Sequence, residues 1–254
     1  HKDMPLGQIL KIIQFAQRYR STGRGELVLS GGEPLMHQNF VDILTQVRAM
    51  DEKFISLTTN GSLLTRKHLK IINDLSFSCF AISVSLDSVN PDLHDKFRKH
   101  QGAFAKAEKA LQLITSCDDP SVVACLRCTV QPSQIDEMES LIRYARNIGC
   151  KRIGFSAIQP AGRAMQHPDL LMTQAQKKLF LNLVYQLREK YLDIDISTTD
   201  PLKCLICSDD DKCKEGEVVF GGCGAAVTTF NVNSDGTMTP CALLDIPMMN
   251  IFPM

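Results

Sequence analysis

A strand-then-helix alternation over the first 160 residues restricts the fold more than any other feature of this chain. Five short apolar runs recur: Glu26 to Ser30 (ELVLS), Phe54 to Thr58 (FISLT), Phe80 to Leu86 (FAISVSL), Val122 to Val130 (VVACLRCTV) and Arg152 to Ile158 (RIGFSAI). Segments of helical period separate them: residues 6–20, 40–50, 65–75, 102–116 and 135–148. In the first of these, Leu6, Ile9, Leu10, Ile13 and Ala16 repeat on one helical face. Parallel neighbours cannot be joined by a tight hairpin, so this rhythm predicts a parallel sheet with crossover helices, either a barrel or an open β/α sheet. The near-continuous apolar strands predict a sheet buried on both faces. Glu33, Asn60, Asp87 and Gln159 sit just past four of the strands. Active sites of such folds gather at that end.

The pattern changes after Ala161. Gly162-Arg163 reads as a turn, Leu171 to Tyr191 as one helix, and Asp193 to Ser197 as a further, more polar strand. Residues 204–222 are polar and cysteine-bearing, which suits a loop. The run VTTFNVNSDGTMTPC places Ser234-Asp235-Gly236 between alternating segments and predicts a hairpin. The chain therefore divides into residues 1–192, a β/α unit, and residues 193–254, a small cysteine-bearing module.

Length and charge remove several classes. The 254 residues suffice for one large α/β domain with an appendage. Lys plus Arg and Asp plus Glu both number 28, which leaves no polybasic footprint for a nucleic acid. No apolar run approaches the length of a membrane span, and the start lacks the apolar core of a secretory signal. A cytoplasmic, reducing setting is expected, and there ten cysteines point to metal or redox chemistry rather than disulfides. Cys204, Cys207, Cys213, Cys223 and Cys241 cluster late in the chain and are candidate metal ligands; their thiolates suit zinc or an iron–sulfur cluster, and spacing does not choose between them. Cys125 and Cys128 stand at odd separation in one strand and face opposite sides. With Cys79, Cys117 and Cys150 they are expected to be structural.

Gly31, Gly32, Glu33 and Pro34 follow the first strand directly. Two glycines allow a ligand to approach the backbone, and Glu33 suits an ammonium group; a tight turn with a solvated carboxylate fits the same residues. Neither a dinucleotide fingerprint nor a P-loop is present. Ser83 and Ser85 share one strand face, continued by Asp87, and Thr59-Asn60-Gly61 ends the strand before. A polar stripe of this kind needs a ligand or internal partners. His94, Asp95 and Arg98 lie at helical spacing and read as a solvated helix start with weak local ion pairs.

These segments, in this order, resemble the radical S-adenosylmethionine (radical SAM) family, in particular its SPASM/twitch group. LVLSGGEPLMH, SLTTNGSLLT, ISVSLDSVNPDLHDKFR and FSAIQPAGRA are each similar to a family segment, and CGAAVTTFNVNSDGTMTPC resembles the opening of a SPASM module. The resemblance implies a partial (β/α)6 TIM-like barrel followed by a small SPASM/twitch-like module. It implies that Gly31, Gly32, Glu33 and Pro34 hold the amino end of S-adenosylmethionine, with Thr59 and Asn60 beside them. Ser85 would meet its carboxylate or ribose, with Ser83 a further cofactor-binding candidate on the same face and Asp87 supporting the loop. Arg127 and Thr129 would lie near the ribose, and Ile158 near the adenine. Cys223 and Cys241 would bind a first auxiliary [4Fe–4S] cluster, joined by one or more of Cys204, Cys207 and Cys213; one or two auxiliary clusters are expected. The family's CxxxCxxC motif and first strand are not in this sequence, nor are the later SPASM cysteines. The expectation is thus a piece of a longer enzyme whose catalytic cluster ligands lie outside it, inactive as given. The implied substrate is a peptide or protein, or alternatively a haem, tetrapyrrole or quinone cofactor precursor, with an electron donor such as flavodoxin or ferredoxin. A non-catalytic zinc-binding or degenerate β/α protein is the competing class.

Overall fold

The computed structural model describes residues 3–19, 25–200, 202 and 224–252. Helix α1 (Leu6–Tyr19) leads into β1 (Leu27–Leu29), α2 (Phe40–Ala49), β2 (Phe54–Thr59), α3 (Arg66–Leu75) and β3 (Cys79–Ser85). Then come α4 (Pro91–Arg98), α5 (Ala103–Thr115), β4 (Val122–Val130), α6 (Met138–Ile148), β5 (Arg152–Ala157), α7 (Gln174–Lys190) and β6 (Asp195–Thr198). The six strands form one parallel sheet in the sequential order β1-β2-β3-β4-β5-β6. Each crossover advances by one strand, and right-handed crossovers that never reverse direction keep all helices on one face. The result is a partial β/α barrel. A second, antiparallel sheet follows, of β7 (Asn231–Val232), β8 (Thr237–Thr239) and β9 (Met249–Asn250). No helix among the described residues is long and apolar enough to cross a membrane.

The helix-covered face carries the core. Ile55, Leu57, Phe80, Ile82, Val84, Leu126, Ile153 and Phe155 are all buried there, against Leu44, Ile72, Leu111 and Ile142 of the helices. Burial of each such side chain stabilises the fold by about 1.5–3 kcal/mol. The opposite face differs from the expectation of a doubly buried sheet. Burial alternates along β2 and β5, and the half-buried or exposed positions Ser56, Thr58, Gly154 and Ser156 form an open, polar side. The sequence looked continuously apolar because serine, glycine and cysteine are small and interrupt the hydrophobic pattern only weakly.

Local signals explain the boundaries. Thr65 and Thr173 cap α3 and α7, each in a reciprocal capping box. Asn90 caps α4, whose first residue is Pro91. Gly149 ends α6 in the left-handed region. The predicted hairpin forms between β7 and β8, and β9 adds a third strand that the sequence reading did not separate. Cys125, Cys128 and Cys150 are buried, and Cys79 and Cys117 partly so, all as free thiols. Burial pushes the Cys125 thiol up to about 11 and that of Cys150 up to about 12. At neutral pH both are protonated and poor nucleophiles.

Candidate functional site

The strand ends that follow β1 and β2 meet through one carboxylate. Glu33 caps the short helical turn Pro34–Met36, and its Oε1 accepts from the Leu35 amide at 3.3 Å. The same oxygen accepts the Thr59 hydroxyl at 2.7 Å, and Oε2 accepts the Asn60 amide at 2.9 Å. The Gly61 amide in turn donates to Thr59 Oγ1 at 3.0 Å, so the hydroxyl hydrogen is directed at Glu33. Three donors thus hold the carboxylate without neutralising it, and it remains half-buried beside exposed Gly31 and Gly32. A Cβ placed on either glycine would meet no atom within 4 Å. The backbone there borders open space, into which a cationic group can approach a fixed carboxylate.

Strand register sets the next row. Ser83 stands between Thr58 and Cys125, and Ser85 beside Arg127. Arg127 stands opposite Gly154, and Thr129 opposite Ser156. Arg127 donates from Nη2 to Ser156 Oγ at 3.2 Å, and Ser156 is hydrogen-bonded to Thr199 Oγ1 at 2.8 Å. No carboxylate pairs with Arg127 among the described residues, and burial draws its pKa below the usual arginine value while it stays charged. The open face therefore carries an anchored carboxylate at its β1–β2 end and a guanidinium at β4, with serine and threonine hydroxyls between. Ile158 follows β5 half-buried, near Gln159, whose amide reaches Asp200 Oδ2 at 3.4 Å. Asp200 is also bound by Lys177 at 3.2 Å. That arrangement suits a small molecule that carries both a cationic and an anionic group.

Asp87 does not offer its carboxylate to the open face. It is 1% exposed, and Arg98 grips it with two bonds, Nε to Oδ2 at 2.6 Å and Nη2 to Oδ1 at 3.0 Å. The Thr129 amide donates to Oδ1 at 2.9 Å. The Asp87 amide donates to His94 Nδ1 at 3.1 Å, so His94 is the Nε2-protonated, neutral tautomer. Burial lowers the His94 pKa, more than the nearby Asp87 carboxylate raises it. Asp95 accepts the amides of Gly102 and Phe104, which lowers its pKa and ties α4 to the start of α5. The solvated helix start expected for His94, Asp95 and Arg98 is therefore corrected. Pro91 and the Asn90 cap turn α4 back over the strand ends, so that His94 is only 2% exposed.

Of the five candidate metal ligands, only Cys241 lies among the described residues; Cys204, Cys207, Cys213 and Cys223 lie outside them. Cys241 is half-buried and lines a cleft of about 300 Å³, together with Ala161, Gly162, Asn233 and Thr239. The Ala226 amide donates to Pro240 O at 3.3 Å, which lays the turn that begins at Gly224 against the Cys241 segment. No three His, Cys, Asp or Glu side chains among the described residues converge as a metal site. Sequence reading missed Ser156, Thr199 and Lys177. The alternation in RIGFSAI puts Ser156 on the face away from Ile153 and Phe155, but no sequence pattern pairs Lys177 with Asp200.

Known proteins share this fold. The chain is 25% identical over 228 residues to the antilisterial bacteriocin subtilosin biosynthesis protein AlbA of Bacillus subtilis (strain 168), covering 88% of this chain and 46% of AlbA. It is 25% identical over 247 residues to an AdoMet-dependent heme synthase of Methanosarcina barkeri (strain Fusaro / DSM 804), covering 93% of this chain and 68% of that protein. The crystal structure of Streptococcus suis SuiB bound to precursor peptide SuiA superposes with a TM-score of 0.75 at 13% identity, over 98% of this chain and 56% of SuiB. The shared fold extends through the small C-terminal sheet, which is SPASM-like. The chain thus spans about half the length of AlbA and of SuiB. The Radical SAM superfamily profile matches residues 1–145, which run from α1 through the Glu33 clamp and the Asp87 network, and the chain belongs to the radical SAM superfamily.

Proposed function

We propose that this chain is the S-adenosylmethionine-binding part of an enzyme that modifies a peptide or protein. The observation that carries the reading is the clamped, unneutralised Glu33 carboxylate beside open backbone at Gly31 and Gly32. On this reading Glu33 accepts the amino group of S-adenosylmethionine, with Thr59 and Asn60 holding its geometry and Pro34 stiffening the turn. Ser83 and Ser85 meet the carboxylate or ribose, Arg127 and Thr129 lie by the ribose, and Ile158 packs on the adenine. Asp87 acts from behind, through the loop. When bound, a reduced [4Fe–4S] cluster supplies the electron that splits S-adenosylmethionine into methionine and a 5′-deoxyadenosyl radical, which abstracts hydrogen from the substrate.

The described residues do not contain a ligand set for that cluster. On this proposal its ligands lie outside this chain. Cys241 and Cys223, with one or more of Cys204, Cys207 and Cys213, would serve one or two auxiliary clusters. A peptide or protein substrate is favoured because SuiB, similar in fold, binds a precursor peptide, and AlbA, similar in sequence, serves the biosynthesis of a bacteriocin, subtilosin. Haem-type cofactor synthesis is the second reading, supported by the similarity to heme synthase. An electron donor such as flavodoxin or ferredoxin and a cytoplasmic setting complete the proposal. The test is 5′-deoxyadenosine formation by the full-length, anaerobically reconstituted protein. Product from wild type and none from Glu33→Gln is expected; no product from a fully cluster-loaded wild type under strong reductant overturns the reading. Deuterium transfer from labelled peptide, against labelled porphyrin precursor, separates the two substrate classes.

A further inference from the structure

The β3–β4 ladder ends at Ser85 and Arg127, with one further bond from the Leu86 amide to Arg127 O at 2.9 Å. Beyond it the two strands are joined by a side chain. Asp87 Oδ1 takes the Thr129 amide, two residues past the last paired position, while Arg98 occupies both carboxylate oxygens and His94 holds the Asp87 amide. Cys128 Sγ lies 3.6 Å from Asp87 O as a weak donor on the same joint. A carboxylate buried at this point without Arg98 would be uncompensated, and a free Asp87 side chain would release Thr129. Ser85, at the end of one strand, and Arg127 and Thr129, at the end of the other, therefore keep their spacing through residues that do not face the open side.

We infer that Arg98 and His94 are positioning residues, which act through Asp87 to fix the separation of Ser85 from Thr129 and so tune the grip of the open face on S-adenosylmethionine. The inference rests on the cofactor reading above and adds two residues on α4 that do not touch the cofactor. A bidentate guanidinium is needed because it meets both carboxylate oxygens in one plane and leaves Oδ1 directed at Thr129; a lysine keeps the charge but not the fork. His94 contributes an acceptor nitrogen, Nδ1, whose place the amide oxygen Oδ1 of asparagine can fill.

The test uses the full-length reconstituted protein and S-adenosylhomocysteine, whose dissociation constant is measured well below the thermal midpoint. Arg98→Ala is expected to weaken binding tenfold or more, with millimolar guanidinium ion restoring most of it; a purely structural role would lower the thermal midpoint without that rescue. His94→Ala should weaken binding severalfold and His94→Asn should not. Should Arg98→Ala fail to fold, Arg98→Lys carries the measurement. Unchanged affinity in the folded Arg98 and His94 variants overturns the inference. Hydrogen exchange supplies a reading independent of any cofactor: the Thr129 amide should exchange at least tenfold faster in the Arg98 variant, ahead of β4 as a whole. If wild type does not bind S-adenosylhomocysteine, the cofactor reading falls, whereas unchanged exchange at Thr129 removes the joint itself.

Discussion

The barrel and the C-terminal module are built on opposite terms. In the barrel, strands of up to nine residues bury one whole face against helices, and the core runs unbroken from Ile13 to Ile196. In the module, strands of two or three residues leave Val227, Phe230, Leu243, Ile246 and Met248 exposed. Backbone turns carry the order there: Gly224 O accepts three amides in succession, and Ile251 N donates to Gly236 O. The difference teaches where a site can be precise. The barrel fixes Glu33 and Arg127 by hydrogen bonds to strand ends whose other face is packed, whereas the module fixes Cys241 by turns.

The comparison can be sharpened first in the core. Phe155→Ala or Phe80→Ala, both fully buried, should cost about 3–5 kcal/mol in denaturant unfolding, while Leu243→Ala in the module should stay within about 0.5 kcal/mol. Equal losses would show that the two regions share one core. Next in size is Gly236, at φ +85°, where a Cβ would run into the Phe252 ring. Gly236→Ala should cost about 1–3 kcal/mol locally, seen as faster hydrogen exchange in residues 231–250 with no change in the barrel strands. Loss of barrel protection as well would join the regions energetically.

A smaller effect is expected at the clamp. Thr59→Val removes the hydroxyl that donates to Glu33 and should cost about 1–2 kcal/mol in binding of S-adenosylhomocysteine, with the melting temperature little changed. Unaltered binding would detach Glu33 from the cofactor. The smallest effect is set by pH. His94 is held neutral, with a pKa below the ordinary 6.5. The unfolded chain takes up the proton first as pH falls, so His94's share of stability is complete above 6.5 and declines below it, through its lowered folded value. His94→Gln should flatten the fall in midpoint across that acid range; a profile unchanged by the substitution would assign the acid sensitivity to other groups.

Much of the fold was legible because hydrophobic periodicity reports burial directly. The strands, their helices and the Ser234–Gly236 turn could be read from spacing, and the odd separation of Cys125 and Cys128 placed them on opposite faces. Glu33 stood out as a polar residue just past a strand, and Ser83 and Ser85 as a polar stripe, whereas Arg127 entered only through the family resemblance. The fate of Asp87, His94 and Arg98 was not legible. Helical spacing shows that three residues share a face but not what covers that face, and only the fold of α4 over the ends of β3 and β4 turns an apparent solvated cluster into a buried joint. The polar side of the sheet was likewise hidden, since a strand with small polar residues on one face looks nearly continuous in apolar character.

The sequence by itself determined the alternation, the caps and turns that bound each element, and the residue types available at the strand ends, because these depend on neighbours within a few positions. Tertiary structure alone decided which carboxylate stays available and which is consumed. Glu33 and Asp87 both follow a strand, yet one is held by hydroxyl and amide donors and the other is paired with a guanidinium eleven residues on. Partners brought together by strand register and helix crossover have no fixed separation along the chain, so the difference arises only once the sheet has assembled.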